Sequence, residues 1–487
     1  MSNEGFIHIE DLDGHASDVH RPTIAERNRV DYREIAKTIG RIGEGKNYLI
    51  RTHGCQMNEH DTEIMSAMLE ELGYQPTADV DDADFVLYNT CAVRENAEDK
   101  VFGHIGTLKP KKAVNPNLII GLCGCMAQEE VVREKIQKTH PHVDIVFGTH
   151  NIHKLPELIE QAHQSKETIF DVWEKAEGTI ENLPKLRKDD VRAWVNIQYG
   201  CNKFCTYCIV PFTRGEERSR LPHDVVEEVK QLAADGYKEI TLLGQNVNDY
   251  GIDLGDVDFA DLLEMCAQVE GLERIRFTTS NPWNFTDKMI DVIAQYDNIC
   301  KHIHLPAQSG NSQVLRRMKR GYTREEYLEL VNRVKAKIPH VTLTTDIIVG
   351  FPGETEEQFL DTVSLLEEVR YDGAYTFIYS PRAGTPATRL PDDVTEEEKK
   401  DRLKRLNVVQ DRISFEKNKE LEGQVLKVLV EGVSKRNDNV MQARTEANKL
   451  VHFTGPTDLA GTFVHVKITE AMTFYLRGEY IPEGVAV

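Results

Sequence analysis

The stretch Tyr199-Gly200-Cys201-Asn202-Lys203-Phe204-Cys205-Thr206-Tyr207-Cys208 carries three cysteines with the spacing C-x3-C-x2-C. Three thiolates on one short loop can bind three irons of a four-iron cluster and leave the fourth iron without a protein ligand. An iron left open in this way can bind a small molecule and pass an electron to it. The stretch therefore predicts an iron–sulfur enzyme whose hard chemical step is done by a cofactor, as in S-adenosylmethionine radical chemistry.

Other uses of the three cysteines are weaker. Structural zinc usually closes its coordination shell with four Cys or His ligands, and after Cys208 the next such residue is His223. A disulfide framework is disfavoured because nine cysteines in 487 residues are sparse and odd in number. Inert thiols in a packed core are the third alternative.

Length and composition set outer limits for the molecule. A chain of 487 residues corresponds to about three domains, and 40% hydrophobic residues can fill several cores. The first residues, Met1–Gly5, have neither a basic nor an apolar region, so we expect no secretory signal. Apolar runs such as Leu118–Gly121 are too short to cross a bilayer. Sparse cysteines and oxygen-sensitive clusters fit a reducing cytoplasm, and we expect no membrane partner.

The charge distribution limits how the chain can bind nucleic acid. A net charge of −21 argues against indiscriminate binding to a polyanion. Two stretches are locally basic: Lys185–Arg220 has eight Lys or Arg against four Asp or Glu, and Arg316–Lys337 has eight against three. The second stretch is equally well explained as the solvated face of a helix.

Residues 46–175 predict an open parallel α/β sheet, preceded by a polar tail over residues 1–45 that we expect to be mobile, with some helix at Tyr32–Ile39. Apolar residues at helical spacing between Ile64 and Leu72 end at Gly73. Strands and helices alternate, which is typical of a parallel sheet. The predicted strands are Tyr48–Ile50, Phe85–Tyr88, Leu118–Ile120 and Val143–Phe147.

A second group of three cysteines follows these strands. Cys55, Cys91 and Cys125 come after the first, second and third strand. The carboxyl ends of parallel strands share one edge, where ligands bind, so the three thiols should converge into a second cluster site. Spacing alone leaves Cys123 as an alternative to Cys125, and three buried core residues as an alternative to any cluster. The two other cysteines, Cys266 and Cys300, lie in or beside apolar helical faces and are read as core.

A polar linker over residues 175–190 leads to a second alternation over residues 190–418. Six strand–helix units are too few for a closed eightfold barrel and predict an open partial barrel, with its site at the carboxyl ends of the strands. Val225, Val229 and Leu232 share one face of a helix predicted over Asp224–Ala234. The strands are expected at 194–198, 239–243, 274–279, 302–305, 342–348 and 374–379.

Residues 420–487 change to alternating strand patterns, as in Val425–Val433 and Phe463–Ile468. We expect a small β-barrel of about five strands. Barrels of this size often bind oligonucleotides, and a merely structural cap is the alternative. The fold class is therefore α/β and multidomain, with an N-terminal open sheet, a central partial (β/α)6 barrel and a C-terminal β-barrel.

The chain resembles the radical S-adenosylmethionine methylthiotransferase family over residues 46–485. Further strings of the family recur after the cysteine loop, including Leu243–Val247, Leu305–Gly310 and Asp346–Glu354. The strings that carry the resemblance most strongly are Thr52-His53-Gly54-Cys55-Gln56-Met57-Asn58-Glu59-His60-Asp61-Thr62-Glu63, Asn89-Thr90-Cys91-Ala92-Val93-Arg94-Glu95, Gly124-Cys125-Met126-Ala127-Gln128 and Arg214-Gly215-Glu216-Glu217-Arg218-Ser219-Arg220.

Within that family, the sequence Cys55-Gln56-Met57-Asn58 resembles the branch that modifies N6-isopentenyladenosine beside the anticodon of tRNA. The branch acting on threonylcarbamoyl-adenosine tends to read C-K-V-N, and the branch acting on a ribosomal protein C-P-K-N. These two substrates are the alternatives, and a non-enzymatic iron–sulfur carrier is a more distant one. A carrier would not need the six-strand barrel or the terminal module, and an assay for deoxyadenosine would tell it from the enzyme.

The resemblance implies two iron–sulfur clusters, with 4Fe-4S expected at each. Cys201, Cys205 and Cys208 would hold the cluster that cleaves S-adenosylmethionine, and Cys55, Cys91 and Cys125 an auxiliary cluster that carries sulfur, which leaves Cys123 as packing. The terminal module is similar to the family's RNA-binding TRAM barrel. The resemblance also implies cofactor contacts from Gln245, Asn246, Ser280 and Gln308. Asn281 departs from the S-H-P string that the family often has, and so carries over no role.

The implied reaction replaces the C2 hydrogen of the modified adenosine with a methylthio group. S-Adenosylmethionine is both the radical source and the methyl donor. The two clusters must face each other across the substrate, and the base must leave the anticodon stack. Arg214, Arg218 and Arg220 could bind phosphate or the methionine carboxylate, and Glu216 or Glu217 a ribose hydroxyl. An ion-pair network within the barrel is an equal alternative for these side chains. Expected partners are the tRNA anticodon loop, a flavodoxin- or ferredoxin-like electron donor, and a protein that supplies sulfur or clusters.

Overall fold

The computed structural model describes residues 29–32, 40–92, 95–176, 178–435 and 437–482. Part of the N-terminal tail, which the sequence predicts to be mobile up to residue 45, pairs with the linker. Strand β1 (Arg29–Asp31) pairs in parallel with β8 (Thr179–Glu181) in the linker, and Tyr32 is buried. The helix predicted over Tyr32–Ile39 falls almost entirely outside the described residues.

The N-terminal domain is an open sheet of six parallel strands in the order β3-β2-β4-β5-β6-β7. The four predicted strands are confirmed, and two short ones extend the sheet at its edges. Apolar side chains cover both faces and pack against helices, as a parallel sheet requires. The elements are β2 (Asn47–His53), α1 (Gln56–Glu71), β3 (Gln75–Pro76), β4 (Phe85–Thr90), α2 (Glu95–Val114), β5 (Ile119–Gly124), α3 (Glu130–Thr139), β6 (Ile145–Phe147), α4 (Leu155–Gln164) and β7 (Ile169–Asp171).

The central domain is a six-strand partial barrel, as predicted, built from two parallel three-stranded halves. A bridge between Ile275 and Ile299 joins the halves. Its core includes Val225, Val229 and Leu232 of the predicted helix, here Pro222–Ala234. The strands are β9 (Arg192–Asn196), β12 (Glu239–Leu243), β13 (Arg274–Phe277), β14 (His302–His304), β15 (Thr342–Val349) and β16 (Gly373–Ile378).

Helices and one small hairpin complete the central domain. Strands β10 (Gln198–Tyr199) and β11 (Arg218–Ser219) pair in antiparallel fashion and close the base of the cysteine loop. The helices are α5 (Val210–Thr213), α6 (Pro222–Ala234), α7 (Phe259–Ala267), α8 (Asp287–Gln295), α9 (Ser312–Arg317), α10 (Arg324–Lys337), α11 (Glu356–Val369) and α12 (Glu396–Lys419).

The C-terminal domain is a closed five-strand barrel with the strand order β17-β18-β19-β21-β20. This confirms the predicted small β-barrel. None of the helices in the described ranges is both long enough and apolar enough to cross a membrane. The strands are β17 (Val425–Ser434), β18 (Asn437–Thr445), β19 (Leu450–Thr454), β20 (Phe463–Ala471) and β21 (Leu476–Ile481).

The terminal barrel is docked against the amino ends of the central strands. Arg276 donates to the main-chain carbonyls of Thr445 and Glu446 at 2.8 and 2.7 Å, and Arg274 donates to those of Arg444 and Lys427, both at 3.0 Å. Both arginines are buried. The β18–β19 hairpin therefore closes the bottom of the partial barrel, opposite the edge where the cysteine loop lies.

Candidate functional site: two facing cysteine trios

The first trio lies at one edge of the N-terminal sheet, as the strand pattern predicts. The register aligns His53, Thr90 and Gly124, the last residues of β2, β4 and β5. Cys91 and Cys125 directly follow their strands, and Cys55 follows two residues after His53 and caps helix α1. Cys55 is exposed, whereas Cys91 and Cys125 are buried. Three thiols distant in sequence thus share one edge.

The thiols of this trio interact with one another. Hydrogen bonding with Cys91 lowers the pKa of Cys55 and of Cys125 to about 6 each. The same hydrogen bonds, together with burial, raise the pKa of Cys91. Thiolates are the form that binds iron, so the group is chemically suited to a metal cluster.

Backbone geometry fixes where the trio sits. Asn58 accepts from the main-chain N–H of Cys55 at 3.4 Å and donates to Asn89 Oδ1 at 3.0 Å. Gly124 has a φ of +92°, and a Cβ there would lie 2.5 Å from the carbonyl oxygen of Thr90. Only glycine lets β5 turn sharply enough to place Cys125 beside Cys91.

Cys123 takes no part in this group. It lies within β5, is 1% exposed, and packs against Met65 with a sulfur–sulfur distance of 3.7 Å. Cys123 lies within β5 and faces the core, whereas Cys125 lies beyond the end of the strand, after the turn at Gly124, so the geometry favours Cys125 as the third member of the group. Cys266 and Cys300 are also buried, as expected of core residues.

The second trio lies on the loop after β10. The main-chain N–H of Cys201 donates to Gly215 O at 3.1 Å, and that of Cys208 donates to Cys205 O at 3.0 Å. Burial raises the pKa of Cys201 and of Cys208 to about 12. The loop is anchored across the barrel because the N–H of Thr206 donates to Met318 O at 3.1 Å.

Arg320 is a residue of this site that the sequence did not single out. It is 5% exposed, and its Nη1 donates to Cys205 Sγ at 3.3 Å. Arg320 belongs to the basic stretch Arg316–Lys337, which can also be explained as the solvated face of a helix. That explanation does not apply to Arg320, because this residue lies in the turn between α9 and α10 and its side chain points inward.

Both trios fit a cluster better than a single metal ion. Over the described ranges, no three His, Cys, Asp or Glu side chains are arranged to hold one metal ion. A closed zinc shell needs four ligands around one ion, whereas in a four-iron cluster each thiolate binds a different iron. The buried guanidinium groups beside Cys125 and Cys205 can balance the negative charge of such a cluster.

The two trios face each other across the domain boundary. Ile209, next to Cys208, packs in one cluster with Ala92 and Cys125. Arg214, at the end of α5, donates from Nε to Cys125 Sγ at 3.3 Å and from Nη2 to Asp61 at 2.7 Å. The barrel thus supplies a buried cation to the trio of the neighbouring domain.

This contact bears on the two predicted roles of Arg214. Its side chain is 4% exposed and is paired with Asp61, which favours an ion-pair role over binding of phosphate or the methionine carboxylate. Arg220 follows the ion-pair alternative, since it pairs with Glu181 at 2.7 Å and with Glu228 at 2.8 Å. The sequence predicted an ion-pair role as one alternative for both arginines but did not indicate that Asp61 and Glu181, in distant segments, would be partners.

Glu217 and Glu216 differ in what they contact. Glu217 Oε1 accepts from the main-chain N–H of Asn202 at 3.0 Å and from Asn246 Nδ2 at 3.4 Å, and burial raises its pKa. It therefore supports the cysteine loop. Glu216 contributes its main-chain carbonyl, which accepts from Arg218 at 2.9 Å.

The other predicted cofactor contacts line the mouth of the barrel. Gln245 Oε1 accepts from the N–H of Gly200 at 2.5 Å, while its Nε2 is buried without a partner among the described residues. Asn246 Oδ1 and Ser280 Oγ are likewise buried and unpartnered there. Gln198, which the sequence did not indicate, also has its side-chain Nε2 and Oε1 buried without a partner among the described residues. Buried polar atoms of this kind are expected where a polar ligand binds.

The main chain of Gln308 and the side chain of Asn281 stabilise local structure, and the cofactor contact of the Gln308 side chain stays a prediction. Gln308 has a φ of +68°, donates its N–H to Asp346 O at 2.8 Å and accepts from the N–H of Ile348 at 2.9 Å, which joins the end of β14 to β15. Asn281 accepts from the N–H of Trp283 at 3.2 Å and caps a short 3₁₀ turn. The residue that departs from the family string is thus a capping residue here.

Comparisons with known proteins agree with this architecture. A model of the Radical SAM superfamily matches residues 195–366, a model described as uncharacterized protein family UPF0004 matches residues 47–148, and a TRAM domain model matches residues 419–481. Among solved structures, the radical S-adenosylmethionine methyltransferase TsrM from Kitasatospora setae has a TM-score of 0.50 at 12% identity, covering 78% of this chain and 80% of that chain. At this level of identity, the similarity shows a shared fold and nothing more.

Curated relatives are much closer in sequence. A protein of Geobacillus thermodenitrificans named tRNA-2-methylthio-N(6)-dimethylallyladenosine synthase is 57% identical over 448 residues, which is 92% of this chain and 86% of the relative. The protein of that name from Bacillus subtilis is 55% identical over 456 residues, or 93% of this chain and 89% of the relative. The chain belongs to the family of tRNA-2-methylthio-N(6)-dimethylallyladenosine synthases, within the radical S-adenosylmethionine superfamily.

Proposed function

We propose that the protein converts N6-isopentenyladenosine beside the anticodon of tRNA to its 2-methylthio derivative. The observation that carries this is the meeting of two cysteine trios from different domains, joined through Arg214 and Ile209. In the proposed reaction one centre generates the radical and the other supplies sulfur, so the two must lie near one substrate. The names of relatives more than half identical to this chain support the substrate.

The side chains would bind and orient the cofactors. Cys201, Cys205 and Cys208 would hold the cluster that binds S-adenosylmethionine, and Cys55, Cys91 and Cys125 the auxiliary cluster. When bound, these cofactors supply reductive cleavage, a radical and a methylthio group, none of which a side chain can provide. Arg320 and Arg214 hold positive charge beside the two sets of thiols.

The polar atoms at the barrel mouth would bind what enters there. Gln245 Nε2, Asn246 Oδ1 and Ser280 Oγ offer donors and acceptors for the polar groups of S-adenosylmethionine. Burial of these atoms keeps water from competing, so a matching ligand is favoured over solvent.

The terminal barrel and the surface around the cysteine loop would bind the RNA. A net charge of −21 does not attract tRNA as a whole, so recognition must be local and must include the single-stranded loop. The target base leaves its stack at a cost of a few kcal/mol. An electron donor of the flavodoxin or ferredoxin class, a protein that supplies sulfur, and a cytoplasmic location complete the proposal.

Nucleoside mass spectrometry tests this function directly. tRNA from cells lacking the protein should contain N6-isopentenyladenosine and lack its 2-methylthio derivative, and expression of the intact chain should restore the product. A chain with Cys201→Ala should not restore it, whereas one with Cys266→Ala, at a buried cysteine outside both trios, should. Accumulation of unmodified threonylcarbamoyl-adenosine instead would favour the sister substrate.

A further inference from the structure

A small cavity lies beside the residues that join the two trios. Its volume is about 50 Å³, enough for a few water molecules or one small ion. All three neighbouring segments line it: Asp61 and His150 belong to the N-terminal domain, Ile180 to the linker, and Tyr199 and Arg218 to the barrel. The cavity is thus formed only when these segments assemble.

Arg218 brings to this cavity a positive charge that no described carboxylate pairs with directly. Its Nη1 donates to the carbonyl of Glu216 at 2.9 Å, but its Nε is buried and unpartnered. No carboxylate among the residues the structure describes forms an ion pair with it. Burial lowers the pKa of its guanidinium, as expected for a cation withdrawn from water.

Gly215 leaves room beside this cation. A Cβ on Gly215 would lie 3.2 Å from His150 Cε1 and 3.4 Å from Arg218 Nη1, so both side chains converge where the glycine has none. His150 Nε2 is buried without a partner in the described chain. Burial, and then the nearby arginines, lower the pKa of His150 to about 4, so at neutral pH the ring is uncharged and can still donate one N–H.

The charged residues that line the cavity are Asp61 and Arg218, and Asp61 is already paired with Arg214 at 2.7 Å. Asp253 and Glu216 lie near Arg218 and act to raise the pKa of its guanidinium, against the effect of burial, but neither residue lines the cavity. The unpaired charge on the cavity wall is therefore the guanidinium of Arg218. A cation, a neutral N–H donor and a space of this size suit a small anion that accepts hydrogen bonds.

We propose that this cavity binds a small monovalent anion and that its occupant in the working enzyme is hydrosulfide. This inference rests on the proposed function, in which every turnover removes one sulfur atom from the protein and so requires its replacement. The position supports the choice: Arg214 contacts Cys125 Sγ, and the carbonyl of Gly215 accepts from the N–H of Cys201. An anion held between His150 and Arg218 would lie beside Gly215, which contacts Cys201, and Gly215 directly follows Arg214, which contacts Cys125.

Sulfide dependence tests the inference in the anaerobic holoenzyme. The measured quantity is the sodium sulfide concentration that gives half the maximal rate of repeated methylthiolation, with each variant normalised to its own first turnover. Arg218→Gln should raise that concentration roughly tenfold or more, as loss of a hydrogen bond to a charged group implies. His150→Phe, which keeps a ring in place, should raise it less. Arg412→Gln makes the same charge change at an exposed site and should behave as the unaltered protein.

Anomalous diffraction gives a second readout. Crystals of the holoenzyme soaked in sodium bromide should show a bromide peak between His150 and Arg218, and added sulfide should weaken it. Wild-type sulfide dependence in both variants would overturn the inference, because the cavity would then play no part in sulfide use. A bromide peak that sulfide does not displace would also overturn it, because such a peak marks a halide site. If Arg218→Gln does not fold, His150→Phe and the bromide peak decide. Failure of the unaltered enzyme to make product in its first turnover would instead overturn the proposed function.

Discussion

Arg214 Nε lies 3.3 Å from Cys125 Sγ, across the boundary between the central barrel and the N-terminal sheet. The same guanidinium is paired with Asp61 at 2.7 Å, and both side chains are buried. One residue of the barrel thus stabilises the auxiliary trio and fastens the two domains together. Loss of this side chain should affect both.

Replacing Arg214 by Gln should destabilise the protein by about 3–5 kcal/mol, because Asp61 is left as a buried, unpaired carboxylate. Chemical denaturation of the cluster-free chain measures the change. The double variant Arg214→Gln with Asp61→Asn should recover part of it, and absence of any recovery would mean that the pair is not coupled. In the reconstituted protein, Arg214→Gln should also shift the reduction potential of the auxiliary cluster downward, since a cation has been removed.

The two trios should bind clusters independently. Replacing Cys201, Cys205 and Cys208 together by Ala should remove one cluster from the anaerobically reconstituted protein and leave the other, because the remaining ligands belong to a separate domain. Iron and sulfide analysis with electron paramagnetic resonance distinguishes the two. Wild-type iron and sulfide in this triple variant would contradict the assignment.

The complementary variant separates the two roles. With Cys55, Cys91 and Cys125 replaced by Ala, the barrel trio is intact, so reductive cleavage of S-adenosylmethionine should continue. Deoxyadenosine should therefore form without any methylthio product, as chromatography of the reaction mixture would show. The control is Cys123→Ala, a core cysteine, which should keep the coupled reaction. Product made by the triple variant at the unaltered rate would rule out an essential sulfur-carrying site.

Removing residues 420–487 should do more than weaken RNA binding. The truncation exposes Arg274, Arg276 and Glu239, which the terminal barrel now buries. We expect a lower Tm for the central barrel as well as lower tRNA affinity. Calorimetry of the truncated and full chains measures the change in Tm.

Binding to tRNA by the full chain should fall as salt rises, with a slope set by the number of phosphate contacts. Unchanged affinity after truncation would make the terminal barrel a structural cap.

Acid should loosen the contact between the terminal barrel and the central one. Asp372 pairs with Lys417 at 2.9 Å and with Lys449 at 3.0 Å; burial raises its pKa, but the two lysines prevail and hold it below the usual value. A carboxylate with a lowered folded-state pKa contributes stability that is present above its unfolded-state pKa and is lost as pH falls through the folded-state pKa. Asp372→Asn should therefore flatten the acid side of the stability profile in denaturation of the cluster-free chain. An unaltered slope would show that other groups control it.

The architecture and the six cysteines could be predicted because their signals are local or repeated. Strand ends followed by Cys55, Cys91 and Cys125 point to one edge of a parallel sheet, and the cysteine loop is contiguous in sequence. The contacts of Arg214 with Cys125 and of Arg320 with Cys205 could not be predicted, because these residues are brought close only by packing between segments distant in sequence. The order of the tail at β1 escaped prediction for the same reason, since its partner strand β8 lies in a polar linker.

The docking of the terminal barrel has a consequence for how this domain can change in evolution. Arg274 and Arg276 recognise main-chain carbonyls of Lys427, Arg444, Thr445 and Glu446. Because every residue offers the same carbonyl, these main-chain contacts by themselves place no constraint on the side chains there. Other contacts at the junction do depend on side chains, such as those of Lys449 with Asp372 and of Glu431 with Arg192. Terminal barrels that keep those few side-chain contacts could thus differ elsewhere in sequence, as interchangeable parts that alter which RNA is held without altering the chemistry.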